Sequence, residues 1–314
     1  MAGQRLWIAV SFLLAIGLLV ALFKWLGAQP GDVTDMLSGL TWWTFAGLVL
    51  LTAANKVLGA WKWRAAIAGI LPGSASLSIV DMAEATAWGS LFGQLLPPQI
   101  SAGLARWAFA RRVHTGRSIV GTTLYEQLFD LVVLLSAALA GIAVIAGGFS
   151  GPFLVIGFIV FLAVTLVALR LSLLAIERCL RLIPHPGLHA LAGAISLARN
   201  VPAATQVSLS ALSIVRLVIV TARACLAVAI FLPGIDIWTV ALGYPIAGLA
   251  MAVPIFPAGL GLAEWTWAGL FVLAGAAAAP AAAAGVALRV ANILAVCAVI
   301  AGFLVARLVG RFQA

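Results

Sequence analysis

Polar residues are sparse along this chain, and the apolar stretches between them set the first reading. Uncharged runs extend from Leu6 to Phe23 and from Leu37 to Asn55, and further apolar runs lie at about 118–146, 151–170, 203–232 and 282–308. A run of roughly 18 or more apolar residues marks a spanning helix, because about 20 residues cross a ~30 Å hydrocarbon core. The pattern therefore predicts about six spanning helices, over about 6–26, 37–56 and the four later runs. No alternation of the kind a barrel strand of ~10 residues needs is present, and backbone groups in lipid must be satisfied within the segment, so helices follow.

Two other apolar pieces are interrupted. Residues 77–105 contain Pro97, Pro98 and Gly103, and residues 237–279 contain Pro245, Pro254, Pro257, Gly259 and Gly261. Proline removes a backbone donor and glycine frees the backbone, so these pieces are expected to be broken or re-entrant hairpins lining a cavity. Laid side by side they form a pattern. Gly103 precedes Arg106 by three positions, with Glu126 and Asp130 on the next helix; Gly261 precedes Glu264 by three, with Arg289 on the next helix. The charge signs are swapped between the copies. The expectation is one integral membrane domain over 1–314, with repeat-like halves at about 77–146 and 237–308 related as an inverted repeat.

Composition agrees with a lipid environment: 64% of residues are hydrophobic and 9% charged, against roughly 25% charged in soluble domains. In a soluble protein a net charge of +9 would suggest nucleic acid, but here the basic residues sit between apolar runs, and no nucleic-acid partner is expected. Apart from Lys24, Arg216, Arg223 and Arg289, all 18 basic residues fall into groups assigned to one side: Arg5; Lys56, Lys62 and Arg64; Arg106 to Arg117; Arg170 to Arg199; Arg307 and Arg311. By the positive-inside rule that side is the cytoplasm, which places both termini there in a multi-pass protein of a bacterial-type cytoplasmic (inner) membrane. The first apolar run is too long for a signal segment and reads as a retained helix. Residues 171–202, with Glu177, Arg178, Arg181, His185 and His189, read as an interfacial cytoplasmic connector. Trp61 and Trp63 suit an interface belt, and Asp81 with Glu84 an interfacial ion pair near Lys56 and Lys62. Cys179, Cys225 and Cys297 show neither redox nor metal-ligand spacing.

Ionisable residues inside spans cost at least ~2.5 kcal/mol each on insertion scales, so each needs a partner, a wet cavity or a task. Glu126 and Asp130, four apart, share a helix face, with Arg106 as the nearest cation. Arg216 and Arg223, seven apart, project from one face of the 203–232 helix. If that face lines a cavity, their guanidinium forks suit a phosphate; otherwise they neutralise Glu126, Asp130 or Glu264 within the bundle. No nucleophile elbow, phosphate-cradling glycine loop or zinc motif is present, so no catalysis, metal or cofactor is expected.

The stretch Leu95-Leu96-Pro97-Pro98-Gln99-Ile100-Ser101-Ala102-Gly103-Leu104-Ala105-Arg106, then Thr123 to Asp130, then Pro254 to Glu264, resembles the lysylphosphatidylglycerol synthase transmembrane-region family. The likeness runs from about 40 to 310. It implies Arg106, Glu126, Asp130, Pro257, Gly261 and Glu264 as motif positions and a flippase-like or lipid-transport role. The pattern is departed from at Gly103, which lacks the usual acidic neighbour, and at Gln127, where an arginine is usual. Because the chain ends at Ala314 just past its last expected span, aminoacyl transfer is not expected of it.

The leading expectation is thus a translocator, or translocation accessory, for an anionic phospholipid or a polyprenyl-phosphate-linked head group. Arg106, Arg216, Arg223 and Arg289 would bind the head group, and Glu126, Asp130 and Glu264 would balance charge or gate. The alternatives are an intramembrane enzyme using Glu126 or Asp130 as base, and a membrane scaffold for an envelope lipid or glycan synthase.

Overall fold

The computed structural model of the chain describes residues 2–73, 77–94, 96, 98–148, 151–182, 196, 201–252 and 259–312, and every extended element among them is helical. In order these are α1 (Ala2–Leu26), α2 (Pro30–Ser38), α3 (Trp42–Ile70), α4 (Ile79–Phe92), α5 (Pro98–Ala110), α6 (Gly116–Gly147), α7 (Gly151–Leu182), α8 (Ala203–Phe231), α9 (Ile237–Ala252), α10 (Leu262–Leu273) and α11 (Ala278–Phe312). Five described segments are long and apolar enough to cross a membrane: Trp42–Ile70, Ser118–Gly147, Pro152–Leu182, Ala203–Phe231 and Ala278–Val309. The fold is an all-α, polytopic membrane architecture.

Local chemistry sets the helix starts. Thr41, Ser78 and Thr115 stand in extended conformation and accept from the amides of Thr44, Asp81 and Ser118, which satisfies donors the first turns of α3, α4 and α6 would leave unpaired. Asp236 does the same for α9, accepting from the Thr239 hydroxyl at 2.6 Å and the amides of Trp238 and Thr239 at 3.0 and 3.2 Å. Those donors, the Thr239 hydroxyl first, hold the Asp236 carboxyl below the usual carboxylate range.

Between the long helices lie two helical pairs. α4 and α5 pack on each other, as do α9 and α10. At 1.5 Å per residue these helices measure roughly 18–24 Å, short of a ~30 Å core. The interruptions fall where proline and glycine predict, with exceptions. Pro98 opens α5, at a position where its missing N–H costs nothing. Gly103, expected as a break, lies instead in the continuous α5, since a lone glycine costs a helix only ~1 kcal/mol. α9 likewise runs through Pro245. Gly259 and Gly261 hold φ of 64° and 83° just before α10, a left-handed conformation that side chains other than glycine's resist. Pro97, Pro254 and Pro257 lie outside the described residues, as do His185 and His189; the first part of the expected connector, to Leu182, continues α7.

The largest apolar core gathers α8, α9, α10 and the alanine-rich face of α11, including Ala281 to Ala284, Ala287, Ala291 and Ala295. Small residues allow this proximity, as they do in membrane bundles generally. A β-carbon at Gly141 of α6 would lie 2.5 Å from the Leu242 carbonyl oxygen of α9, so these two backbones meet with no room for a side chain. In contrast, the apolar window of α7 has none of its residues buried; this helix packs against α6 and turns most of its surface outward.

Candidate functional site

A chamber of about 760 Å³ lies between the two helical pairs and the long helices α3, α6, α8 and α11. Twelve charged or amide side chains stand on its wall. Five are cations, Lys56, Arg106, Arg216, Arg223 and Arg289; three are carboxylates, Glu126, Asp130 and Glu264; four are amides, Asn55, Gln94, Gln127 and Asn292. All seven charged candidates predicted from the sequence thus converge on one space.

Their pairing is specific. Arg106 on α5 donates from Nη2 to Glu126 Oε1 on α6 at 2.7 Å, both side chains being almost wholly buried. The Arg106 guanidinium also lies 4.7 Å over the Trp63 ring, whose Nε1 donates to Thr122. Between the other short-helix pair and its following long helix, Arg289 on α11 donates from Nε to Glu264 Oε1 on α10, while Glu264 Oε2 accepts the Gly261 amide at 2.7 Å. Each short-helix pair is therefore tied to the long helix that follows it by one ion pair of opposite polarity, at the residues the spacing singled out. Glycine is needed at 261 so that its amide can turn back onto the carboxylate.

Asp130, one turn beyond Glu126, is shared. Its Oδ1 accepts Lys62 Nζ at 2.5 Å and its Oδ2 accepts Arg216 Nη1 at 2.7 Å, while Arg216 Nε donates to Asn55 at 2.9 Å. Lys62 also donates to the Glu126 carbonyl at 3.1 Å. Lys56 and Arg223 differ from the rest. Lys56 Nζ donates to the Ser90 hydroxyl at 2.5 Å and Arg223 Nη1 to the Thr52 hydroxyl at 3.3 Å, and neither has a carboxylate within ion-pair distance among the described residues. Counted by residue type, cationic side chains on the chamber wall outnumber carboxylates by five to three.

The family model of the lysylphosphatidylglycerol synthase TM region matches residues 8–300. The chain belongs to that family. No curated protein matches it. This member of the lysylphosphatidylglycerol synthase transmembrane-region family carries Arg106, Glu126, Asp130 and Glu264 on the wall of one chamber, all four in the ion pairs just described.

Several expectations are corrected in this member of the family. Lys56 and Lys62 are not a cytoplasmic flank: α3 continues to Ile70 and turns both inward, 4% and 0% exposed, on the face that also carries Thr52, Asn55, Gly59 and Trp63. Arg106 is likewise part of the bundle interior, so these three drop out of the one-sided tally of charges. Trp63 is fully buried against Arg106 rather than at an interface, whereas Trp61 is half-exposed. Asp81 and Glu84 pair not with the lysines but with Arg307 of α11, whose Nη2 lies 2.7 Å from each. Sequence reasoning missed Lys56, Lys62 and Asn55 as site residues; the recurrence of Thr52, Asn55 or Lys56, Gly59 and Lys62 every three to four residues along one helix face was the available signal. Gly103 faces open space beside the chamber. Among the described residues no cluster of histidine, cysteine or carboxylate side chains suits a metal.

Proposed function

We propose that the protein moves, or helps to move, an anionic lipid head group across the bilayer through this chamber, its acyl chains staying in the membrane. The observation that carries this reading is a pair of cationic side chains, the buried Lys56 and the half-buried Arg223, facing the chamber with no carboxylate within ion-pair distance among the described residues. A buried charge needs a counter-charge, and a phosphate supplies one that can come and go. Arg223 offers a two-pronged donor face to phosphate oxygens and Lys56 a point charge beside it. Arg216 is poised differently. Because Asp130 also holds Lys62, Arg216 can turn to a phosphate while Asp130 stays compensated. The Arg106–Glu126 and Arg289–Glu264 pairs fix the short helices to the long ones, so the two halves move as units if they rock about the chamber as inverted repeats do. The reading places the protein in a bacterial inner membrane with both termini cytoplasmic, and assigns it no bond-making step.

The test uses proteoliposomes carrying phosphatidylglycerol labelled on a tail with a dithionite-reducible fluorophore. Wild-type protein should expose inner-leaflet label faster than protein-free vesicles. Each charged hydrogen bond is worth about 1.5–3 kcal/mol, so Arg223→Ala and Lys56→Ala should each slow the exposure at least about tenfold. Equal rates with and without protein, or unimpaired variants, would overturn the reading.

A further inference from the structure

A second space lies beside the chamber. Between α7 and α8, against Tyr125 and Phe129 of α6, runs a cleft of about 480 Å³. Its walls are apolar over most of their length, with Leu166, Leu169, Val207, Ala211 and Ile214 among them. One end is polar: Arg170 donates from Nη2 to Gln206 Oε1 at 3.1 Å, and Gln206 in turn donates to the Val201 carbonyl at 2.8 Å. Arg170 is exposed and has no carboxylate within ion-pair distance among the described residues. Along α8 the lining runs from Ala203 to Ile214, about 16 Å at the helical rise, close to the ~15 Å depth of one leaflet.

The cleft and the chamber are neighbours. Tyr125 and Leu173 line both, and Ile214 stands two residues before Arg216, which faces the chamber. A slot as deep as a leaflet, apolar along its length, headed by a cation that no described carboxylate pairs and sharing a wall with a chamber rich in cationic side chains, has the polarity of one lipid molecule.

We propose that this cleft is the entry site for the lipid: it holds one acyl chain, with the phosphate beside Arg170, and the head group passes Tyr125 into the chamber. The proposal rests on the translocation reading above and adds the place where the tail resides while the head group is handled. α7 forms the outer leaf of this opening. Its attachment to α6, with its remaining surface in lipid, allows the tail to enter from the side.

The test uses a phosphatidylglycerol with a photoactivatable diazirine in its acyl chain, as a trace component of phosphatidylcholine vesicles containing the full chain, with adducts mapped by mass spectrometry. Labelling at Leu166 and Leu169 should exceed labelling at Val164 and Leu171, which are 60% exposed on the outer face of α7, by several-fold. Ser210→Trp, which fills the cleft, should abolish that excess. Val207→Trp, at a position already 69% exposed and so tolerant of size, should reduce it without disturbing the fold. Arg170→Gln should lower the excess for phosphatidylglycerol by more than for a phosphatidylcholine photolipid, whose choline cation offsets the charge of its phosphate. Even labelling around α7, or an excess that survives both tryptophans, would overturn the proposal. The dithionite assay on the same vesicles separates the two readings: transport without cleft labelling refutes the entry site alone, and cleft labelling without transport refutes translocation alone.

Discussion

Removing Arg106 should expose how much of the bundle's stability depends on buried charge being matched. Arg106 and Glu126 are 3% and 2% exposed in their side chains and meet at 2.7 Å. Arg106→Leu leaves the Glu126 carboxylate buried with no cation on its Oε1, and loss of one partner of a buried pair costs about 3–5 kcal/mol. The contact with Trp63 adds about 1–2 kcal/mol to the loss. The opposing term is water in the chamber, since Glu126 lines it and can regain some solvation. A loss of about 3 kcal/mol is therefore expected for Arg106→Leu, and a similar one for Glu126→Leu. The double variant removes both charges and should lie within about 1 kcal/mol of wild type, because apolar replacement of a whole buried pair is often neutral or better. The assay is reversible unfolding in mixed micelles, followed by tryptophan fluorescence, with the four proteins forming a double-mutant cycle. Single losses below about 1 kcal/mol that simply add in the double variant would refute the reasoning, and would mean that chamber water already solvates both groups.

Gly141→Ala should lower thermal stability by about 1–3 kcal/mol, because the new methyl group must push α6 and α9 apart; an unchanged Tm would contradict the close approach at Leu242. Arg307→Met leaves buried Glu84 without its cation and should destabilise by about 1–3 kcal/mol, whereas Asp81→Asn, at the exposed end of the same cluster, should cost less than half as much. Asp236 supplies a pH signature. Its folded-state value is depressed, so its capping stabilisation is complete above the ordinary carboxylate range and drains away as pH falls through the lower folded value. Wild type should thus lose Tm on acidification below about pH 4 relative to Asp236→Asn, which should be flat across that window; parallel curves would count against the cap.

The sequence made the membrane class and the two motif pairs legible, for a physical reason. Arg106 with Glu126, and Glu264 with Arg289, each join a short helix to the next long one, so spacing alone brings the partners to the same side. Lys56 and Lys62 were misread because an apolar run followed by lysines looks the same whether it ends at a membrane surface or turns a polar stripe inward. Only the periodicity of Thr52, Asn55, Lys56, Gly59, Lys62 and Trp63 separates the cases. Arg216 of α8 is among the cations the sequence offers Asp130, and the structure pairs them. Its other partner, Lys62 of α3, and that of Asp81, 226 residues away on α11, are out of reach, since distant helices pack by shape along their whole length. The cleft beside α7 is invisible in sequence for the same reason: it is a gap between helices, and no residue pattern encodes a gap.

The surplus of positive charge on the chamber wall has one more consequence. Under the translocation proposal, these deep cationic side chains would be matched between lipids by small anions drawn from the surrounding solution. On that proposal an arriving head group would displace resident ions instead of filling an empty hollow. Apparent affinity should fall as chloride is raised, and the resting protein is best pictured as a salt form awaiting exchange.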